Sequence, residues 1–183
     1  YLNERKTLSH GNSKVVHVLI SGRLIYRKGV ELLIDSVSQL NTESPYIIDI
    51  YGDGEQRHML EKKVKTYQLE NRIVFHGNIS FTEMQKQYEK ADIYCLPSLR
   101  ETTGTAVFEA MANKLPIIAL KQNGVKDIVK NDCGILVDIK SKDQVVYDFS
   151  IALKMLIENE SMRLDMGEKA FDKIRNSYTW SKR

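Results

Sequence analysis

Apolar and polar positions follow two alternating patterns along this chain. Six short segments are rich in Val, Ile or Tyr and nearly continuous in apolar residues, as expected of strands that are buried on both faces. The predicted strands are Val15–Ser21, Tyr46–Tyr51, Arg72–His76, Asp92–Pro97, Pro116–Leu120 and Gly134–Asp138. None of these runs approaches the length of a membrane-spanning helix.

The segments between these runs have the 3.6-residue spacing of helices with one buried face. Ser80 and Glu83 have the spacing of a capping box at the start of one helix, and another helix is predicted to begin near Glu55. The apolar positions of the helical stripes are Val30, Leu33, Ile34, Val37 and Leu40; Phe81, Met84 and Tyr88; and Val145, Phe149, Ala152, Leu153 and Leu156 behind Ser141 and Gln144. A last helical region is predicted at about residues 161–176.

This order of elements predicts the fold class. Strands that alternate with helices form right-handed βαβ units, which give a parallel sheet. We therefore predict an α/β fold with a Rossmann-like open parallel sheet of about six strands and helices on both faces. No internal repeat or change of composition divides the chain, so residues 15–176 are predicted to form one domain.

Composition agrees with a single globular domain and excludes some functions. The chain has 183 residues, of which 42% are hydrophobic, and its net charge is +3 with both signs interspersed. This charge pattern gives no indication of nucleic-acid binding. Two cysteines, Cys95 and Cys133, indicate no disulfide framework, so a cytoplasmic location is predicted. The first fourteen residues are polar and begin with Tyr1, and we expect the chain to be part of a longer protein.

The segment from Ala91 to Ala112 carries two acids where a strand is predicted to lead into a helix. Glu101 follows the strand, and Glu109 lies about two helical turns further on, beyond Gly104. Ligands of open α/β sheets bind where strands end and helices begin, and carboxylates accept hydrogen bonds from vicinal hydroxyls. The pair is consistent with a site for a hydroxyl-rich ligand. It is equally consistent with a surface helix whose N-terminus favours acidic residues.

The loop after the first strand carries positive charge. Gly22 allows a sharp turn away from the strand, Arg23 offers a planar guanidinium, and Lys28 lies just before the next helix. Together with the N–H groups of that helix they could bind a pyrophosphate. Two basic residues in a loop are also commonly just solvated, so the loop alone does not establish a site.

Several other sites are not supported. Gly52 and Gly54 resemble part of a dinucleotide fingerprint, but position 57 is Arg and the segment follows the wrong strand, so a tight turn is the better interpretation. The four histidines are dispersed and Cys-x-x-Cys and Asp-x-Asp are both missing, so no metal site is predicted. No serine lies in a G-x-S-x-G elbow. His76 ends a strand and could line a cleft, although a strand terminus is the commoner role.

Taken in order, these segments resemble the C-terminal half of family four glycosyltransferases, which are retaining enzymes with the GT-B fold. The resemblance covers about residues 15–180. It rests on the following segments: Gly22-Arg23 with Lys28-Gly29, Gly52-Asp53-Gly54, Val74-Phe75-His76-Gly77, Pro97-Ser98-Leu99-Arg100-Glu101 with Glu109-Ala110-Met111-Ala112, Asn123-Gly124-Val125-Lys126-Asp127-Ile128-Val129, and Cys133-Gly134-Ile135-Leu136-Val137. Each segment is weak alone, but their order and spacing together are specific.

The resemblance implies that this half binds a nucleotide-diphosphate sugar, with no metal and no other cofactor. Arg23 and Lys28 would hold the diphosphate and offset its charge as it leaves, Glu109 would bind the ribose, and Glu101 would position the donor sugar. The implied catalytic residues are Glu101, Arg23 and Lys28, and the implied donor-binding residues are Gly22, Arg23, Lys28, Asn78, Ile79, Glu101, Thr103, Gly104, Thr105 and Glu109. Asn78 and Ile79 would border the base.

The resemblance also implies a missing N-terminal domain that binds a glycan or lipid-linked acceptor. Residues 1–14 would be the linker from that domain, and residues 177–183, with Trp180, would begin the helix that returns to it. The fragment alone is then expected to bind donor weakly and to transfer nothing. The resemblance leaves open a peripheral association of the full-length protein with the inner face of the membrane. A non-catalytic nucleotide-binding or regulatory module remains an alternative, as does another GT-B relative such as a phosphorylase or an epimerase.

Three positions depart from the family pattern. Thr103 replaces the aromatic residue that commonly precedes the glycine, which leaves the shape of the sugar pocket open. Asp127 replaces a longer acid. Asn113-Lys114 replaces a small residue and a glycine at the end of the helix, where we expect Asn113 to adopt the left-handed conformation at little cost.

Overall fold

A computed structural model describes residues 15–101, 104–122 and 124–177, and it confirms the predicted fold class. The predicted segment at 1–14 lies outside these residues, as does the predicted segment at 177–183 except for Ser177. Six strands form one sheet in the order β3-β2-β1-β4-β5-β6, and every neighbouring pair is parallel. The strands are β1 Val16–Ser21, β2 Tyr46–Tyr51, β3 Ile73–Gly77, β4 Ile93–Leu96, β5 Ile117–Leu120 and β6 Gly134–Val137.

Helices cover both faces of the sheet. They are α1 Val30–Ser38, α2 Arg57–Thr66, α3 Phe81–Lys90, α4 Thr105–Ala112, α5 Val125–Ile128, α6 Lys142–Glu158 and α7 Glu160–Ser177. Because side chains alternate along a strand, Val18 and Ile20 of β1 enter a core with α1, α2 and α6, whereas Leu19 enters a second core with α3, α4 and α7. Within the described residues, no helix combines the length and apolarity needed to cross a membrane.

The predicted helix starts agree with the structure to within two residues. Ser80 and Glu83 form the predicted capping box, and the Ser141 hydroxyl accepts a hydrogen bond from the Gln144 N–H. The helix expected near Glu55 begins at Arg57. Two short elements were not predicted: a 3₁₀ turn at Tyr26–Lys28 and the four-residue helix α5. Neither is long enough to show a helical period in the sequence.

The prediction for the end of α4 was wrong in one respect. Asn113 has φ −97°, and Lys114 is the residue in the left-handed region, with φ 57°. The N–H of Leu115 donates to the carbonyl of Ala110, and the N–H of Lys114 donates to that of Met111, which together form a Schellman motif. In this motif the residue after the C-cap takes the positive φ, so the strain falls on Lys114, the position where the resemblance implies a glycine.

An acidic side chain at the centre of the α1 face joins three helices. The carboxylate of Asp35 on α1 lies 2.7 Å from Nζ of Lys63, which is in α2, and 3.0 Å from the hydroxyl of Tyr67, which directly follows α2. Lys142 Nζ of α6 lies 3.1 Å away. Burial alone would raise the pKa of Asp35, but hydrogen bonds from these three groups outweigh burial and lower it. The cluster therefore stabilises the packing of α1 against α2 and α6.

We expect Asp35→Asn to lower the free energy of unfolding by about 2 kcal/mol at neutral pH, since hydrogen bonds to a charged group are lost. Because the folded-state pKa is depressed, this stabilisation is present above the unfolded pKa of about 3.9 and is lost as pH falls through the folded value. Urea denaturation at pH 7 and pH 3 measures the difference, which should shrink in acid. Asp172→Asn, which removes an exposed ion pair with Arg175, is the control. Equal losses in the two variants would contradict the prediction.

Candidate active site at the carboxyl edge of the sheet

The loops that follow β1, β2 and β3 lie side by side at the carboxyl edge of the sheet. The Gly22 N–H donates to the Tyr51 carbonyl at 2.9 Å, and the Gly52 N–H donates to the Gly77 carbonyl at 2.8 Å. These bonds extend the ladder of the sheet beyond the strand ends. Gly22 is therefore fixed next to the Gly52 turn. It begins the loop of residues 22–29 between β1 and α1, which we call the cationic loop because it carries Arg23, Arg27 and Lys28.

A second set of contacts joins the cationic loop to the loop after β4. The Leu99 N–H donates to the Arg27 carbonyl at 2.8 Å. Gly29 has φ 65°, and a Cβ atom there would lie 2.0 Å from the Pro97 carbonyl oxygen, so only glycine allows this approach. The two loops are about 70 residues apart in sequence, yet their backbones are in contact.

This approach brings together two of the predicted catalytic residues. Lys28 Nζ lies 2.7 Å from Glu101 Oε2, and the exposed fractions of the two side chains are 22% and 16%. The Lys28 side chain also passes over Gly22, where a Cβ atom would lie 3.7 Å from Lys28 Cε. The cationic loop and the loop after β4, which carries Glu101, are thus joined by a partly buried ion pair with no net charge.

The second acid, Glu109, acts electrostatically on two buried tyrosines, and the first acid acts on one of them. Glu109 is half-buried on α4, and Tyr88 and Tyr94 beneath it are almost inaccessible to solvent. Burial is the main cause that raises the pKa of both phenols, and the charge of Glu109 raises both further. The charge of Glu101 also raises the pKa of Tyr94. Both carboxylates therefore lie close to the same buried ring.

Two helices begin at this edge without a side-chain cap. Gly29 precedes α1 and Gly104 precedes α4, both with positive φ, and neither helix has a capping hydrogen bond from a side chain. The partial positive charge and N–H groups of a helix N-terminus favour anions. Gly29 directly follows Lys28, and Gly104 is three residues after Glu101. This edge therefore combines a cationic side chain and helix N–H donors with a carboxylate that can accept hydrogen bonds.

The remaining predicted residues lie on the same loops. Arg23 is exposed and forms no ion pair with any other residue in the described part of the chain. Asn78 is exposed and Ile79 half-buried just after β3, and Thr105 is exposed as the first residue of α4. Thr103 and Asn123 lie outside the described residues. The structure thus brings Lys28 and Glu101 into contact, and the charges of Glu101 and Glu109 both act on Tyr94. Arg23, Asn78 and Ile79 lie on the neighbouring loops after β1 and β3.

Comparison with known proteins gives the family. The family model described as "Glycosyl transferases group 1" matches residues 4–173. The chain belongs to the group 1 glycosyl transferase family. Sulfoquinovosyl transferase SQD2 from Arabidopsis thaliana is 28% identical over 176 residues, which are 96% of this chain and 33% of that protein. The chain spans about a third of the length of the curated relatives it matches.

Solved structures of glycosyltransferases and related proteins share this fold. The C-terminal domain of a glycosyl transferase group 1 family protein (LpcC) from Francisella tularensis has a TM-score of 0.77 and 27% identity, covering 91% of this chain and 87% of that one. S. aureus TarM, in complex with fondaparinux, alpha-GlcNAc-glycerol and UDP, has a TM-score of 0.82 and 22% identity, covering 100% of this chain and 36% of that one. This group 1 domain therefore has the fold of a GT-B half.

The sequence analysis missed a group of hydroxyls beneath the site. Ser21 Oγ lies 3.1 Å from the hydroxyls of both Tyr88 and Tyr94. Tyr88 was assigned only to the apolar stripe of α3, and Tyr94 to a buried strand. A tyrosine inside a fully apolar run could have indicated such a group, since a buried phenol usually has a hydrogen-bond partner.

His76 has a partner away from the edge loops. Its Nε2 lies 2.7 Å from Asp49 Oδ1, its ring stacks on Tyr51, and His17 Nδ1 lies 2.8 Å from Asp49 Oδ2. Burial alone would raise the pKa of Asp49, but the two histidines outweigh it and lower the pKa. No group of three His, Cys, Asp or Glu side chains suited to a metal ion occurs in the part of the chain that the structure describes.

Proposed function

We propose that this chain is the part of a retaining glycosyltransferase that binds a nucleotide-diphosphate sugar. The observation that carries the proposal is the contact between Lys28 and Glu101, because it joins the cationic loop to the loop after β4. A diphosphate needs cationic and N–H donors, and a sugar needs acceptors for its hydroxyls. The carboxyl edge of this sheet offers both kinds of group, since Lys28 Nζ and Glu101 Oε2 lie 2.7 Å apart. The UDP bound to the related TarM supports the same class of ligand.

Each part of the donor has a matching group in this proposal. The diphosphate contacts Gly22, Arg23 and Lys28. It also contacts the uncapped N-termini of α1, which follows Gly29, and of α4, which begins at Gly104 and Thr105. Glu109 accepts hydrogen bonds from the ribose, and Glu101 from the donor sugar. Asn78 and Ile79 border the base, and Thr103 borders the sugar.

Donor binding changes the partner of Lys28. In the ligand-free protein Lys28 and Glu101 neutralise each other, with Nζ and Oε2 2.7 Å apart. A bound diphosphate attracts the ammonium group toward its oxygens, and the Glu101 carboxylate then accepts from sugar hydroxyls instead. During transfer the bond from the anomeric carbon to the diphosphate oxygen breaks, and negative charge grows on the leaving group. Lys28 and Arg23 offset this charge electrostatically.

The full-length protein would move the sugar to a glycan or lipid-linked acceptor. In the proposal the acceptor is bound by an N-terminal domain, no metal is needed, and this part of the protein alone transfers nothing. A location at the inner face of the membrane, by peripheral association, belongs to the same proposal.

Calorimetric titration of the full-length protein with UDP, GDP and ADP tests donor binding, and a panel of nucleotide sugars then identifies the donor. We expect one of the diphosphates to bind at millimolar concentration or below. If none binds, the proposed function is wrong. Binding without sugar transfer to any glycan or lipid acceptor would favour a non-catalytic nucleotide-binding module.

Replacing Arg23 by Ala is expected to weaken binding of that diphosphate by about 2–3 kcal/mol, because charge-assisted hydrogen bonds to its oxygens are lost. Arg27 lies in the same loop and is also exposed, so Arg27→Ala is a matched control that removes the same charge. Titration calorimetry measures both affinities. If the two variants lose the same affinity, Arg23 acts only through net charge and does not contact the phosphates.

A further inference from the structure

The peptide unit between Ser98 and Leu99 is hydrogen-bonded on both sides. Its carbonyl accepts from the side-chain amide Nε2 of Gln122, and its N–H donates to the Arg27 carbonyl at 2.8 Å. Because the C=O and N–H groups of a trans peptide point in opposite directions, Gln122 and Arg27 lie on opposite sides of this segment. One peptide unit of the loop after β4 therefore connects the loop after β5 to the cationic loop.

The backbone on either side of the Gln122 side chain is fixed. The Lys121 N–H donates to the Val137 carbonyl at 2.8 Å, which continues the pairing of β5 with β6. The Gln122 carbonyl accepts from the N–H of Lys126, in α5, at 3.0 Å. Gln122 itself is half-buried. Its amide therefore reaches Ser98 from a backbone that is held by β6 on one side and by α5 on the other.

The side chains that precede Glu101 do little to hold their own segment. Pro97 and Leu99 have no polar side-chain atoms, and the buried Ser98 hydroxyl has no hydrogen-bond partner among the described residues. The Pro97 carbonyl packs against Gly29, as described above. The position of this segment therefore depends on its backbone groups, and the Ser98–Leu99 peptide is bonded at both of its polar ends.

We propose that Gln122 is a positioning residue for Glu101, which it orients for the donor sugar through the Ser98–Leu99 peptide. This inference rests on the proposed function, in which Glu101 accepts hydrogen bonds from that sugar. Glu101 is two residues beyond Leu99, so a rotation of the peptide plane changes the direction in which the chain continues toward the carboxylate. Fixing a group before binding removes part of the loss of conformational freedom that binding would otherwise carry.

The arrangement predicts an effect on one part of the donor. Arg23 and Lys28, which bind the diphosphate in the proposed function, belong to the cationic loop, whereas Gln122 contacts the loop after β4. Without the Gln122 amide, the bond from Leu99 to Arg27 remains, and the segment can turn about it. The contribution of the sugar to binding should then fall, and the contribution of the diphosphate should stay nearly unchanged.

A comparison of two ligands tests the inference in the full-length protein. Calorimetry gives the affinities of the nucleoside diphosphate that binds and of the corresponding nucleotide sugar, and their ratio measures the contribution of the sugar. Gln122→Ala should shift this ratio by about 3- to 10-fold against the sugar, as expected when one hydrogen bond is removed, with the affinity for the diphosphate near that of wild type. In a Glu101→Ala background, Gln122→Ala should cause no further shift.

Gln144→Ala is the matched control, because Gln144 Nε2 also donates to a backbone carbonyl beyond a strand at this edge, that of Asp138 after β6, at 2.9 Å. It should leave the ratio unchanged. Gln122→Glu keeps the shape of the side chain but replaces the donor by an acceptor at neutral pH, so it should shift the ratio at least as far as Gln122→Ala. It serves in place of Gln122→Ala if thermal unfolding shows that the alanine variant does not fold.

The outcomes separate this inference from the proposed function. If wild type binds no nucleoside diphosphate, the proposed function is wrong, and the inference falls with it. If Glu101→Ala keeps the wild-type ratio, the proposed role of Glu101 is wrong, with the same consequence. If Glu101→Ala shifts the ratio but both Gln122 variants keep it, only the positioning role is wrong. Equal weakening of both ligands in Gln122→Ala would indicate a purely structural glutamine and would also overturn the inference.

Discussion

Replacing Lys28 by alanine is expected to lower kcat for sugar transfer by about 10²–10³, the usual effect of removing one group that stabilises charge in the transition state. Lys28 is partly buried against Glu101, so its charge is less screened by water than that of a surface lysine. The variant also leaves the Glu101 carboxylate without its partner, close to where the negative diphosphate would bind. Steady-state kinetics of the full-length protein with its nucleotide sugar measures the effect.

Lys121→Ala provides the control for this prediction. Lys121 follows β5 at the same edge of the sheet and pairs with Asp138 at 3.0 Å, but both side chains are about half exposed. Its removal changes net charge by the same amount, and exposed ion pairs contribute little. We expect its kcat to stay near that of wild type. A wild-type kcat in Lys28→Ala would show that Lys28 takes no part in stabilising the leaving group.

Gly52→Ala is expected to be the most destabilising single methyl addition at the site. Gly52 has φ 136°, and a Cβ atom there would lie 1.9 Å from the Gly22 carbonyl oxygen. The added atom must therefore displace the start of the cationic loop. Backbone strain of this kind costs about 1–3 kcal/mol, and the clash adds to it, so we expect a loss of about 4 kcal/mol or more.

Gly22→Ala separates the clash from the backbone strain. Gly22 has φ 135°, almost the same as Gly52, but the nearest atom to its added Cβ is Lys28 Cε at 3.7 Å, an ordinary contact. This variant should lose only the strain of about 1–3 kcal/mol. Urea denaturation gives both values, and diphosphate titration should show the larger loss of affinity in Gly52→Ala. Equal stability of the two variants would mean that the close approach of the two loops does not constrain the site.

Much of the fold could be predicted from the sequence, because the relevant information is local. The continuous apolar runs gave all six strands, since a strand covered on both faces needs apolar side chains in both directions. The capping residues Ser80 and Ser141 located two helix starts, because a cap bonds within its own turn. The 3₁₀ turn at Tyr26–Lys28 was missed, as was the left-handed conformation of Lys114. Both depend on how the backbone closes a turn, which side-chain pattern does not encode.

The sequence by itself determined that this chain is a parallel α/β domain whose strand ends carry two acids and two cations, because the succession of strands, loops and helices along the chain follows from periodicity. Only the tertiary structure decided which of these charges meet. The contact of Lys28 with Glu101 depends on the close approach of Gly29 to Pro97, and the hydroxyls of Ser21, Tyr88 and Tyr94 meet only because β1, α3 and β4 pack together. These groups are far apart in the chain, and their distances follow from how whole elements pack together.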